Sequence, residues 1–210
     1  MRWQTLVVEQ IEVICQKKFY GYIVIDRATI CRKIVILMLL KKHNLKQDYM
    51  KYSIPPQTHI GHVHLKVADL ERSLAFYRDL LGFEETQRFG DSAVFISAGG
   101  YHHHIGLNTW YSKNSPASPV HSAGLFHTAI VYPGRKDLAV ILKRLIETKY
   151  PLTGASDHGV SQALYMNDPD GNGVELYWDR PRKEWPVNED NQLEMVTESL
   201  DLDELLKLAE

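Results

Sequence analysis

The chain has 210 residues, 44% of them hydrophobic and 24% charged, and a formal net charge of −2. That length suits one sizeable core with appendages, and the composition is ordinary for a soluble globular protein. The small net charge gives no global reason to expect nucleic acid or a membrane as partner, and only two cysteines occur, Cys15 and Cys31. Both lie far from the candidate site described below, which argues against a disulfide framework or zinc–thiolate chemistry and suits a reducing cytoplasm.

Residues 1–57 carry ten Lys or Arg against four Asp or Glu. The apolar run at 34–40 is far shorter than the roughly 18–20 residues of a membrane-spanning helix. Lys41-Lys42-His43 follows it in place of a small-residue cleavage site, so no secretion signal is read and a cytoplasmic location is expected. The stretch is read as a non-functional extension upstream of the real start or a loosely packed extension, in preference to a docking helix or a membrane-surface segment, and no chemistry is assigned to it. Pro55-Pro56 marks its end, because each proline disfavours helix in the residue before it. The expected organisation is a basic extension over 1–57, a folded domain over 58–181, and a tail over 182–210. The tail carries three Lys or Arg against nine Asp or Glu.

The folded domain opens with His62-Val63-His64-Leu65-Lys66-Val67. Alternation makes this a strand with Val63, Leu65 and Val67 on one face and His62, His64 and Lys66 on the other. Asp69 caps a helix whose apolar positions are Leu70, Leu74, Tyr77, Leu80 and Leu81, and Gly82 ends it. Strands are expected at 83–88, 93–97 and 102–110. A second copy of the pattern starts with a strand at 125–131 that contains His127. Its helix carries Leu138, Ile141, Leu142, Leu145 and Ile146, and strands follow at 162–166 and 174–178. This weak internal repeat, about 58–115 and 123–181, predicts an α+β fold. Paired βαβββ modules form a cup-shaped curved sheet with the helices outside. In the tail, Leu200, Leu202, Leu205, Leu206 and Leu208 suit a short amphipathic helix, read as laid on its own domain in preference to binding a partner.

Three residues on these strands carry the functional reading: His62, His127 and Glu175. Two imidazoles and a carboxylate are the facial ligand set that leaves positions open on non-haem iron(II). Glu175 lies between Val174 and Leu176, where a buried carboxylate is costly without a cation partner. Each histidine has the duller alternative of a hydrogen-bonded core residue. The metal reading requires the three strands to converge on one point.

The opening His62 to Tyr77 and the closing Asp168-Pro169-Asp170-Gly171-Asn172-Gly173-Val174-Glu175-Leu176 resemble the vicinal oxygen chelate superfamily. That superfamily includes glyoxalases, bleomycin and fosfomycin resistance proteins, and extradiol ring-cleaving dioxygenases. The resemblance covers 59–181 and implies the fold but not the reaction. Gly99-Gly100-Tyr101-His102-His103-His104-Ile105-Gly106-Leu107 is similar to the dioxygenase segment that carries an acid/base histidine. Matched on Ile-Gly-Leu, His103 takes that place, whereas strand alternation does not choose among His102, His103 and His104. Tyr165, ten positions before Glu175, matches the family's offset for a further auxiliary group, and His158, seventeen before it, aligns with another after a small deletion. Trp110, Tyr177 and Trp178 are assigned to the apolar wall, with plain core packing as the alternative. Arg180 stands at the mouth as an anion site or a solvated end charge. His59, His64 and His121 are left unassigned.

The resemblance therefore implies a metal-dependent extradiol dioxygenase that uses Fe(II), or Mn(II), with an aromatic diol and O2. His62, His127 and Glu175 are the implied ligands, with His103, Tyr165 and His158 as catalytic groups. A glyoxalase-type lyase or isomerase with Ni or Zn, and a metal-free small-molecule binding protein, are the other readings. A homo-oligomer is expected from the resemblance, with no nucleic acid or membrane partner.

Overall fold

The computed structural model describes residues 32–39, 41, 52–119 and 121–210. The chain divides into two compact units, 1–59 and 60–210. In the first, positions 32–39 and 41 are helical. The remaining expectations for that stretch, including those on Cys15 and Cys31, lie outside the described residues. No helix among the described residues is long and apolar enough to cross a membrane.

The second unit begins with strand β1, Val63–Lys66. Helix α1, Leu70–Leu74, follows, and the Asp69 side chain accepts the Arg72 N–H at 2.8 Å as its cap. The helix continues as a wider π-helical turn over Ala75–Leu80, and Gly82, at φ +89°, supplies the left-handed stop. Strands β2 (Glu84–Phe89), β3 (Ala93–Ser97) and β4 (Ile105–Asn108) complete the first module. They form a four-stranded sheet in the order β1-β4-β3-β2, with β1 and β4 parallel.

The second module repeats this with β5 (His127–Val131), α2 (Arg135–Glu147), β6 (Gly154–Asp157), β7 (Ser161–Asn167) and β8 (Gly173–Asp179). Its sheet runs β5-β8-β7-β6 and gains a short fifth strand, β9 (Glu198–Ser199), from the C-terminal segment. Helix α3, Leu202–Leu206, ends the chain with a 3₁₀ turn over Lys207–Ala209. Both modules thus have the expected βαβββ order, and each curved sheet turns one face to the helices.

The strand expected over 102–110 is shorter than the apolar pattern suggests. Pairing begins only at Ile105, because His104 N–H already bonds Ile96 C=O as the last rung of the turn. The second module's first strand likewise begins at His127 and not at 125. β6 and β9 have no apolar signature and were not anticipated.

Leu70, Leu74 and Tyr77 from α1 and Leu138, Leu142 and Leu145 from α2 enter one core with Val94, Ile96, Leu107, Leu164, Met166 and Leu176. Leu205 of α3 is fully buried in the same core, and its neighbour Glu204 forms an ion pair with Arg135 of α2. The two modules are also joined by polar contacts. Arg144 of α2 donates to the carbonyls of Leu80 at 2.8 Å and Asp79 at 2.6 Å, satisfying acceptors at the end of α1.

The turn Asp168–Gly173 is the second joint. Asp168 is 4% exposed and accepts the N–H groups of Asp170 and Asn172, the Asn172 side-chain amide and the Tyr77 hydroxyl, each at 2.9 Å. A buried carboxylate is tolerated only when its acceptor sites are filled in this way. Asp170 reaches back to the first module, accepting the Ala68 N–H at 3.1 Å and pairing with Arg72. Gly171 holds the turn at φ +85°.

Gly173 then brings β8 against β5, since a Cβ there would lie 2.1 Å from the Phe126 carbonyl oxygen. Gly173→Ala is therefore expected to destabilise the protein by about 1–3 kcal/mol or more through forced backbone movement. Gly124→Ala, where an added Cβ meets nothing within 4 Å, stays within about 0.5 kcal/mol of the parent. Thermal or urea unfolding of the two variants checks this; equal midpoints would contradict it.

Candidate active site

The faces of β8 separate core from site. Val174 and Leu176 are buried against the helices, so Glu175 and Tyr177 point the other way. Register carries this face across the sheet: Tyr165 of β7 stands opposite Glu175, and Ala129 of β5 stands opposite it on the other side. His127 is two residues from Ala129 and shares its face. Its Nε2 lies 3.0 Å from Glu175 Oε2, with side-chain exposures of 32% and 12%.

From Glu175 a polar chain continues. The Tyr165 hydroxyl lies 3.1 Å from Glu175 Oε1 and 2.7 Å from His158 Nε2. His158, on the turn between β6 and β7, places its Nδ1 2.9 Å from the Val196 carbonyl oxygen. Burial, and then the charge of Glu175, push the Tyr165 phenol up to about 12. At neutral pH it remains a hydrogen-bond donor. Beside this row opens a cleft of about 330 Å³, with Phe126, His127, Gly154 and Tyr165 in its wall. That volume is at the small end of small-molecule sites.

The first module's open face carries a different surface. Leu65 and Val67 are buried while His62, His64 and Lys66 are exposed, as alternation predicts. His64, Gly106 and Phe95 stand side by side across β1, β4 and β3. A Cβ on Gly106 would lie 2.9 Å from the His64 ring, so the glycine lets that imidazole lie flat on the sheet. Trp110, 57% exposed, approaches His64 with ring centroids 5.5 Å apart. Desolvation, and then His62, lower the His64 pKa. His64, Gly106 and Phe95 were not singled out from the sequence; the glycine opposite a histidine was the available signal.

His103 packs between His62, tilted to it at a centroid separation of 4.4 Å, and Phe95, edge-on at 4.9 Å. Its Nδ1 is 2.7 Å from His102 Nδ1. Burial and then the neighbouring imidazoles, His102 first, hold the His103 pKa below the usual histidine value. His104 is committed elsewhere, its Nδ1 lying 2.9 Å from Ser97 Oγ and accepting the Ala98 N–H at 3.3 Å. Because β4 starts at Ile105, strand alternation never applied to these three residues.

Of the three proposed ligands, the fold brings His127 and Glu175 together. His62 lies with His103 instead, and among the described residues no three His, Cys, Asp or Glu side chains are grouped to hold a metal ion. Trp178 is not a wall residue of this face. It alternates with Tyr177, so it packs with the core on the helix side, where the Arg180 guanidinium lies 5.9 Å from its ring. Arg180 is paired with Asp157 and is not a free anion site.

The chain belongs to the Glyoxalase/Bleomycin resistance protein/Dioxygenase superfamily, whose description matches residues 59–176. It is 39% identical over 158 residues to a catechol-2,3-dioxygenase of Bacillus subtilis (strain 168), a match covering 75% of this chain and 54% of that protein. It is 31% identical over 124 residues to biphenyl-2,3-diol 1,2-dioxygenase 3 of Rhodococcus globerulus, covering 57% and 63%. A manganese-dependent 2,3-dihydroxybiphenyl 1,2-dioxygenase of Geobacillus genomosp. 3 is 26% identical over 137 residues, covering 63% and 40%. The chain thus spans between 40% and 63% of the length of these three relatives.

The electrostatic link between Glu175 and Tyr165 has a measurable sign. A phenol whose folded pKa lies above its ordinary value of 10 favours the native state below pH 10, and that contribution is lost as pH rises toward 12. Glu175→Gln removes the negative neighbour but not the burial. The Tyr165 phenolate is therefore expected to appear at lower pH than in the parent while staying above 10. Alkaline ultraviolet titration, with Tyr165→Phe subtracted, reads this; an unchanged or raised midpoint would contradict it.

Proposed function

We propose that this chain cleaves an aromatic vicinal diol with O2 as an extradiol dioxygenase dependent on a divalent metal, iron(II) or manganese(II). The observation that carries the reading is the His127–Glu175–Tyr165–His158 row on one open sheet face. Its relatives' names, catechol and dihydroxybiphenyl dioxygenases, support the same substrate class.

The pair fits a cation. His127 Nε2 and Glu175 Oε2 stand 3.0 Å apart on the open sheet face, close enough for one cation to engage both. His62 would be the third ligand. It is exposed and held by stacking on His103, so ligation requires it to leave that stack. A divalent cation held there supplies Lewis acidity and a common meeting point for the diol oxygens and O2.

The protein's own groups do the rest. Tyr165, kept as a phenol, can turn its one hydroxyl hydrogen from His158 Nε2 to a substrate oxygen, with His158 positioning the hydroxyl until then. His103, whose pKa lies below the usual histidine value, serves as the acid/base group on the first module's side. Phe95, His64 and Trp110 offer ring-stacking surface. Tyr177, on the Glu175 face, narrows the second module's wall.

The placement of His62 outside the pair favours one other reading, a metal-free binding protein of the resistance type. An oxygen electrode separates the two. With catechol and anaerobically loaded Fe(II) or Mn(II), the dioxygenase reading expects O2 uptake matched to a yellow ring-opened product, and none under argon. Tyr165→Phe lowers kcat by about 10²–10⁴-fold. Glu175→Ala abolishes turnover. Absence of uptake from the loaded protein across catechol and 2,3-dihydroxybiphenyl would defeat the proposal.

A further inference from the structure

Past β8 the chain turns back over the β6–β7 corner, and its segment 186–199 lies against His158. Val196 N–H donates to the His158 carbonyl at 3.1 Å, while His158 Nδ1 lies 2.9 Å from the Val196 carbonyl oxygen. Two residues on, β9 pairs with β6, Glu198 opposite Asp157 and Ser199 opposite Ser156. Leu200 and Leu205 then anchor the chain in the core. Gly159, at φ +74°, makes the close approach possible, since a Cβ there would lie 2.9 Å from Pro186 Cγ and 3.4 Å from Val196 Cγ2.

The proton on His158 follows from this contact. A carbonyl oxygen only accepts, so Nδ1 must carry hydrogen to bond Val196. A neutral imidazole has one N–H, which leaves Nε2 bare. That bare nitrogen faces the Tyr165 hydroxyl at 2.7 Å, nearer than Glu175 Oε1 at 3.1 Å, so the one hydroxyl hydrogen goes to His158 and Glu175 acts on the phenol through its charge. The Thr197 hydroxyl, 3.4 Å from the same Nδ1, is the longer contact and does not determine the tautomer.

We propose that the Val196 main-chain carbonyl is a positioning group of the active site: docking of segment 186–199 fixes His158 as the Nδ1–H tautomer, with Nε2 as the acceptor for Tyr165. The claim rests on the dioxygenase reading for its consequence in turnover, but not for the tautomer itself. The same division of labour, one partner fixing a histidine's tautomer so that its other nitrogen acts as base, occurs in hydrolytic triads. Here the segment reads as part of the machinery, not as a tail.

The test uses the full-length protein labelled with ¹⁵N-histidine, and two-bond ¹H–¹⁵N spectra that report which ring nitrogen carries hydrogen. His158 is assigned by loss of its signals in His158→Asn. The expected parent spectrum shows His158 protonated at Nδ1, and Thr197→Val leaves it unchanged. Gly159→Ala drives a methyl group onto Pro186 and Val196, so it is expected to mix the tautomers and lower kcat by about 10–100-fold with little change in KM. An Nε2–H tautomer in the parent overturns the proposal whether or not any variant folds. So does a folded Gly159→Ala protein with the parent's tautomer and kcat. Parent protein with the Nδ1–H tautomer but no catechol cleavage upholds the positioning contact and removes only the dioxygenase reading.

Discussion

The Asp168 carboxylate sets the position of most of what matters in this molecule. It is almost fully buried and takes hydrogen bonds from its own turn and from Tyr77 of the other module. Burial and the Asp168 charge push the Tyr77 phenol far above its ordinary value, so it stays a donor. Removing Asp168 would strand the buried Tyr77 hydroxyl, which donates to it, and an unsatisfied buried polar group costs about 1–3 kcal/mol. The turn is thereby fixed, and with it the first residue of β8. Glu175 faces away from the core because Val174 and Leu176 must face it. Its place beside His127 follows from the Gly173 contact with the start of β5.

Two surfaces of different character result. The second module presents acid, phenol and imidazole in a connected row, suited to holding a cation and moving protons. The first presents rings: Phe95, His64, Trp110, and the His62–His103 stack. Chemistry on an aromatic diol needs both kinds of surface, one for the oxygens and one for the ring. The C-terminal segment adds a main-chain acceptor that neither sheet supplies on its own.

Much of this was legible in the chain itself. The alternation of Val63, Leu65 and Val67 with His62, His64 and Lys66 fixed the face of β1, and helical spacing with Asp69 and Gly82 bounded α1. Period-two reasoning also contained the correction for Trp178, which is three residues from Glu175 and so must face the opposite side. Other features had no local signal. β6 reads Gly-Ala-Ser-Asp and pairs only because β7 and β9 flank it. Val196 acts through a carbonyl that every residue possesses. That His62 stacks on His103 and does not join His127 depends on contacts between distant segments, which strand pattern does not encode.

The metal centre proposed above has His127 and Glu175 as two of its ligands and His62 as the third. Equilibrium titration of metal-free protein with Fe(II) or Mn(II) under argon tests it most directly. The account predicts one tightly bound ion per chain, no binding in Glu175→Ala, and at least tenfold weaker binding in His62→Ala. Undiminished affinity in His62→Ala, or no saturable binding by the parent, would contradict it.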